Sequence, residues 1–323
     1  MRWTRSPMRS PRCDDKAVTE GATPLDRTTE RRLALPFALV TFIWGSTWLV
    51  IHSQFGLVST QWSVSYRFLI GGAAMLLVAR TMRLPLAIGW RGHGLAAVVG
   101  LATFVINYNL VYAAERHVTS GLVAVLFSLL VPCNALLGRA FLGQLLSRPF
   151  LIGSAVAMLG VVLLFAHELR ASGGDPHEVA IGTGLTLVAV LCASIGGVVQ
   201  GSAAGKLIPT ASLLAWTMLW GAMLDGVVAW MQSGAPRIDL RPAYLGGLLY
   251  LGIIASAVAF TLYYDLIRRI GAARAGYANV LVPVIAMALS TLFEHYRWSI
   301  EAALGGLLTL IGLALAMRAR SAG

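Results

Sequence analysis

Ten apolar stretches follow one another between residues 34 and 317, each about 20 residues long, the length an α-helix needs to cross a bilayer. They lie near 34–54, 61–81, 94–114, 119–138, 149–167, 181–203, 209–231, 243–264, 272–293 and 299–317. Composition excludes a soluble fold: 57% of the residues are hydrophobic, only 12% are charged, and mean hydropathy is +0.74. Soluble domains carry about 25% charged residues. In hydrocarbon each backbone N–H and C=O must bond inside its own segment. The expected fold class is therefore all-α integral membrane, with ten transmembrane helices.

Residues 1–32 differ from the rest. They carry eight Lys/Arg and no apolar run, which predicts a hydrophilic, disordered, basic tail. Counted on alternate sides of the ten spans, 19 Lys/Arg fall on the side of both termini and five on the other, with Arg67 inside a span. The positive-inside rule then predicts cytoplasmic termini. Because the basic residues follow topology, the net charge of +11 does not point to nucleic acid. Cys13, Cys133 and Cys192 show no framework or metal spacing and are expected as free thiols.

The chain also repeats. Pro132 and Pro283 stand 151 residues apart, and the same offset carries Tyr112 onto Tyr263 and Ser128 onto Asn279. Gly71 falls on Gly221, and Gly153 and Gly160 fall close to Gly305 and Gly312. Residues 33–167 and 181–317 thus read as two five-helix repeats. Five is odd, so the second enters the membrane inverted, an architecture in which transporters bind substrate near the midplane between halves.

Candidate site residues come from polar groups inside spans. Arg67 and Asp225 are the charges deepest in hydrocarbon, where each costs about 2.5–3.5 kcal/mol on insertion scales. Arg67 reads either as an anionic-substrate contact or gate, or as a snorkelling side chain. Asp225 reads either as an ion-coupling proton site or as a neutral, hydrogen-bonded carboxyl. The mid-span prolines release the carbonyls of Ser128 and Asn279, which suits a substrate-facing notch or an internally satisfied kink. Asn107, Tyr108, Tyr112 and Tyr263 suit a polar, aromatic cavity wall, with an interfacial belt as the alternative for Tyr112. Trp44, Thr47 and Trp48 form either a wall of that cavity or ordinary packing. Catalytic and nucleotide motifs, metal-ligand pairs and cofactor fingerprints are lacking in the sequence, so no catalytic residue, metal or cofactor is expected.

With Trp44-Gly45-Ser46-Thr47, Tyr66-Arg67-Phe68, Ser120-Gly121, Pro132, Gly271-Ala272-Ala273-Arg274-Ala275 and Pro283 in order, the chain resembles the EamA-type transporters of the drug/metabolite transporter superfamily. The resemblance covers about 34–317 in two copies. Leu142-Gly143-Gln144 departs from the Leu-Gly-Glu usual there, whereas the second copy keeps Glu294. The resemblance implies a bacterial inner-membrane carrier of small metabolites that works without ATP. Its expected partners are membrane lipid and a small-molecule substrate, and it is expected as a monomer or homodimer. The function expected is secondary transport by alternating access, exporting small metabolites such as amino acids. A membrane-embedded lipid-modifying enzyme and a sensor or structural subunit are the alternatives.

Overall fold

The computed structural model describes residues 27–143, 145–171, 176–275, 277–296 and 298–320. Most of the expected tail and Gln144 lie outside the described residues. Fourteen α-helices and two π-helical segments carry the described chain. They are α1 (Arg27–His52), α2 (Thr60–Thr81), α3 (Gly89–Val99), α4 (Asn107–Ala114), α5 (Ser120–Phe127), α6 (Leu130–Leu142) and α7 (Arg148–Ala171). There follow α8 (Pro176–Gln200), α9 (Ala203–Lys206), α10 (Thr210–Ser233), α11 (Pro242–Leu249), α12 (Ala259–Ala275), α13 (Tyr277–Phe293) and α14 (Ile300–Arg320). A π segment over Gly100–Ile106 joins α3 to α4, and another over Tyr250–Val258 joins α11 to α12.

Among the described residues, seven helical stretches are long and apolar enough to cross a membrane. Three shorter apolar stretches, Arg148–Leu164, Ala278–Phe293 and Ile300–Ala316, fall at the expected fifth, ninth and tenth spans. Large apolar side chains such as Leu77, Leu159, Val162, Leu191, Val227 and Leu307 face outward. That surface suits hydrocarbon rather than water.

Two helix ends differ from the hydropathy reading. The backbone of α1 is already helical at Arg27, inside the expected tail, and Pro36 falls within the helix. Helix α12 runs past residue 264 to Ala275, with an Asp265–Arg269 ion pair of 2.7 Å four residues apart. Hydropathy sees only the apolar part of a helix; a charged extension braced by such a pair escapes it.

Local chemistry fixes the other ends. Ser59 caps α2 by accepting the Trp62 N–H at 3.4 Å. Gly143 closes α6 at φ 65°, a left-handed conformation that glycine adopts without strain. Some hydroxyls inside the spans donate to the carbonyl four residues earlier, as Thr41, Thr47 and Thr309 do, so these three bring no unpaired donor into the interior.

Pro132 breaks its helix. Helix α5 stops at Phe127 and α6 begins at Leu130, and the Ser128 carbonyl accepts the Val131 N–H at 3.3 Å in a tighter turn. Pro283, in contrast, sits inside an unbroken α13.

Glycines set the closest approaches. Gly153 and Gly160 of α7 face Gly312 and Gly305 of α14 so tightly that a Cβ on any of the four would meet backbone of the other helix. Helix α2 packs along α10 and onto the second π segment, while α10 packs onto the first. Cys133 and Cys192 are free thiols.

Candidate functional site

A cavity of about 590 Å³ opens where α1, α2, α4, the α5–α6 break, the second π segment, α12 and α13 converge. Trp44, Thr47, Trp48, Arg67, Asn107, Tyr108, Ser128, Tyr263 and Asn279 all line it. These are residues the sequence singles out, brought together from five helices and one helix break. Tyr112 and Asp225 are not on its wall. Tyr112 is buried in the core beside Phe55, which removes it from any interfacial belt. Asp225 is fully buried on α10, where its Oδ1 accepts a 2.7 Å hydrogen bond from Asn109.

The wall has two chemistries. One side is aromatic. Trp44 contacts Phe260 and Tyr263 with ring centroids 5.5 and 4.9 Å away, and its indole N–H donates to the Ala255 carbonyl at 3.3 Å. Trp48 contacts Phe127 at 5.0 Å. The other side is polar. Oδ1 of Asn107, Oδ1 of Asn134 and Oγ of Ser128 are buried and unpartnered, although the Asn107 amide donates to the Thr103 carbonyl. The Asn279 amide donates to the Tyr263 hydroxyl at 3.4 Å, tying the two sides together.

Arg67 is the one cation among the described residues lining the cavity. Its guanidinium is held over the rings of Tyr108 at 4.5 Å and Phe68 at 5.2 Å. It is 2% exposed, so it does not snorkel. Its Nε and Nη1 are buried with no acceptor. Aromatic faces offset part of the desolvation of a cation but accept no charge-assisted hydrogen bond. An anion placed in the cavity would supply that bond.

Two acids stand behind Arg67. Glu115, just past the end of α4, is 2% exposed, and neither carboxylate oxygen has a partner. Burial first, and the neighbouring Glu294 charge second, push its carboxyl well above the ordinary range, while Arg67 pulls the other way. Glu294, after α13, accepts the Ser120 backbone N–H at 3.1 Å and the Ser290 hydroxyl at 2.6 Å through Oε2. Its Oε1 is buried without a hydrogen bond and lies 4.0 Å from His52 Nδ1.

Sequence reasoning passes over Asn134 and Glu115. An amide two residues beyond the helix-breaking Pro132 was the signal for Asn134. Glu115 had none, since a carboxylate next to a loop reads as solvated.

The sequence pattern of the EamA-like transporter family matches this chain twice, over residues 33–166 and 180–318. An "Uncharacterized transporter YoaV" of Bacillus subtilis is 22% identical over 87% of this chain and 95% of its own length. A "Probable amino-acid metabolite efflux pump" of Escherichia coli is 25% identical over 85% of this chain and 91% of its own. A crystal structure 20% identical in sequence superposes with a TM-score of 0.64, covering 90% of this chain and 99% of that one, so the fold is shared. The chain therefore belongs to the EamA-like transporters of the drug/metabolite transporter superfamily, and it is a multi-pass membrane transporter.

Proposed function

We propose that this protein is a secondary transporter that exports amino acids or closely related small metabolites by alternating access, without ATP. Two five-helix repeats, 33–167 and 181–317, would sit inverted about the cavity, with ten spans in all and both termini in the cytoplasm of a bacterial inner membrane. The two separate family matches and the pairing of α7 with α14 and α2 with α10 support that arrangement. In an inverted repeat, equivalent helices meet across the pseudo-two-fold axis.

One observation carries the substrate class. The cavity offers a buried cation with free N–H groups at Arg67, buried free acceptors at Asn107, Asn134 and Ser128, and aromatic surface at Trp44 and Trp48. Carboxylate, ammonium and apolar side chain of one amino acid answer those three features. The efflux-pump relative supports the same class.

Counterflow tests it. Proteoliposomes of purified protein, preloaded with one unlabelled amino acid at a time and given the radiolabelled form outside, are expected to accumulate label transiently without ATP for at least one amino acid. A folded sample that moves none of the twenty would overturn the reading.

A further inference from the structure

Glu115, Glu294 and Arg67 make a buried charge cluster at one end of the bundle, where the 52–60, 114–120 and 293–300 connections meet. Five buried polar atoms in it have no hydrogen-bond partner: both oxygens of Glu115, Oε1 of Glu294, and the Nε and Nη1 donors of Arg67. A carboxylate buried without a donor is costly, and two ionised carboxylates in one dry site repel each other. The single Arg67 charge is drawn on by the cavity as well. A proton on the acidic pair removes the excess charge.

The neighbours give that proton a route. The side chain of His52 is 48% exposed, whereas that of Glu294 is 8% exposed. Exposure thus falls from His52 to Glu294 and on to Glu115 and Arg67, each 2% exposed, and Arg67 lines the cavity. Among the described residues, several other ionisable groups at this end are engaged elsewhere. His117 holds Glu178 of α8, the Arg116 guanidinium lies over Phe55, and Glu301 of α14 is paired with Arg170. His295 is exposed, and Tyr112 is buried in the core.

We propose that Glu115 and Glu294 form a proton-binding pair whose occupancy is set by whether Arg67 is free or engaged by an anion in the cavity. While Arg67 is free, its charge favours the ionised pair. When a ligand carboxylate takes the guanidinium, that support is lost, and one proton passes from water to a carboxylate oxygen of the pair, turning carboxylate into carboxylic acid. Ligand and proton then bind together, and by linkage each tightens the other, in typical cases about 5- to 150-fold. This step rests on the transport reading only for its consequence, a pH-dependent carrier; the proton site itself is testable without any substrate.

The test is an infrared pH titration of the full chain in lipid nanodiscs, following the protonated-carboxyl band. Wild type is expected to show a band that disappears as pH rises, at a midpoint above the ordinary carboxylate range, and that Glu115→Gln removes. Glu294→Gln should lower the midpoint, because the like charge is gone. Arg67→Gln, which mimics the neutralised guanidinium, should raise it by about one pH unit, a tenfold gain in proton affinity, while Arg67→Lys should stay near wild type. Glutamine is the uncharged isostere of the protonated acid, so Glu115→Gln is expected to fold. A band unchanged in Glu115→Gln, or a midpoint indifferent to the charge at position 67, would overturn the proposal. Counterflow failing for every amino acid would instead strike the transport reading and leave the proton pair standing.

Discussion

Arg67→Gln is expected to lower amino-acid counterflow about 10- to 100-fold. The guanidinium is the one cation among the described cavity-lining residues, and its Nε and Nη1 lack acceptors, so a ligand carboxylate would form its charge-assisted hydrogen bonds there. Such a bond is worth about 1.5–3 kcal/mol net, and each 1.4 kcal/mol is about a factor of ten. Arg67→Lys keeps the charge but loses the planar fork that meets a carboxylate in two places, so only part of the rate should return. Removing Arg67 also leaves the Glu115–Glu294 pair without its counter-charge, and instability alone would mimic a transport defect. The double variant Arg67→Gln/Glu115→Gln separates the two effects. It should restore thermal stability in detergent, because the repelling charge is gone, yet leave counterflow low. Full counterflow in the double variant would show that Arg67 serves the acids and not the ligand.

Gly305→Leu is expected to abolish recovery of a monodisperse protein, whereas Gly306→Leu, one residue away, should be recovered normally. A Cβ at Gly305 would lie 2.8 Å from the Gly160 carbonyl oxygen and 2.9 Å from the Leu164 amide nitrogen, both backbone atoms of α7. Backbone cannot rotate aside as a side chain can. In lipid, close van der Waals approach drives helix association, so separating α7 from α14 removes most of their attraction. Overpacking ordinarily costs about 1–3 kcal/mol, and a leucine forced against backbone belongs at or beyond the upper end. Nothing lies within 4 Å of a Cβ at Gly306, where leucine also improves helix propensity by nearly 1 kcal/mol. Size-exclusion profiles and melting temperatures of the two variants in one detergent check the contrast. Equal behaviour would mean that α7 and α14 do not meet at these glycines.

The cavity wall was legible in the sequence because polar groups inside apolar runs are costly unless something holds them. Arg67, Asn107, Ser128 and Asn279 stand out on that ground alone, and all four line the same space. Asp225 stands out on the same ground but lies elsewhere, with the Asn109 amide bonded to its Oδ1. Glu115 was invisible. Its place at the end of α4 suggests solvent, and only its burial in the folded chain shows that water is excluded. Pattern also misplaces helix ends wherever charge continues a helix, as at Arg27 and over Asp265–Ala275. The shared spacing of Pro132 and Pro283 also does not foretell that only the first stands beside a helix break.

Access to the cavity is the most direct test. With Cys13, Cys133 and Cys192 replaced, a cysteine at Ser128 places one thiol on the cavity wall, and a membrane-impermeant maleimide can be applied to proteoliposomes from either side. Alternating access predicts reaction from both faces, slowed in each case by the transported amino acid. Reaction from one face alone, at a rate indifferent to that amino acid, would contradict a central site that opens in turn to both sides.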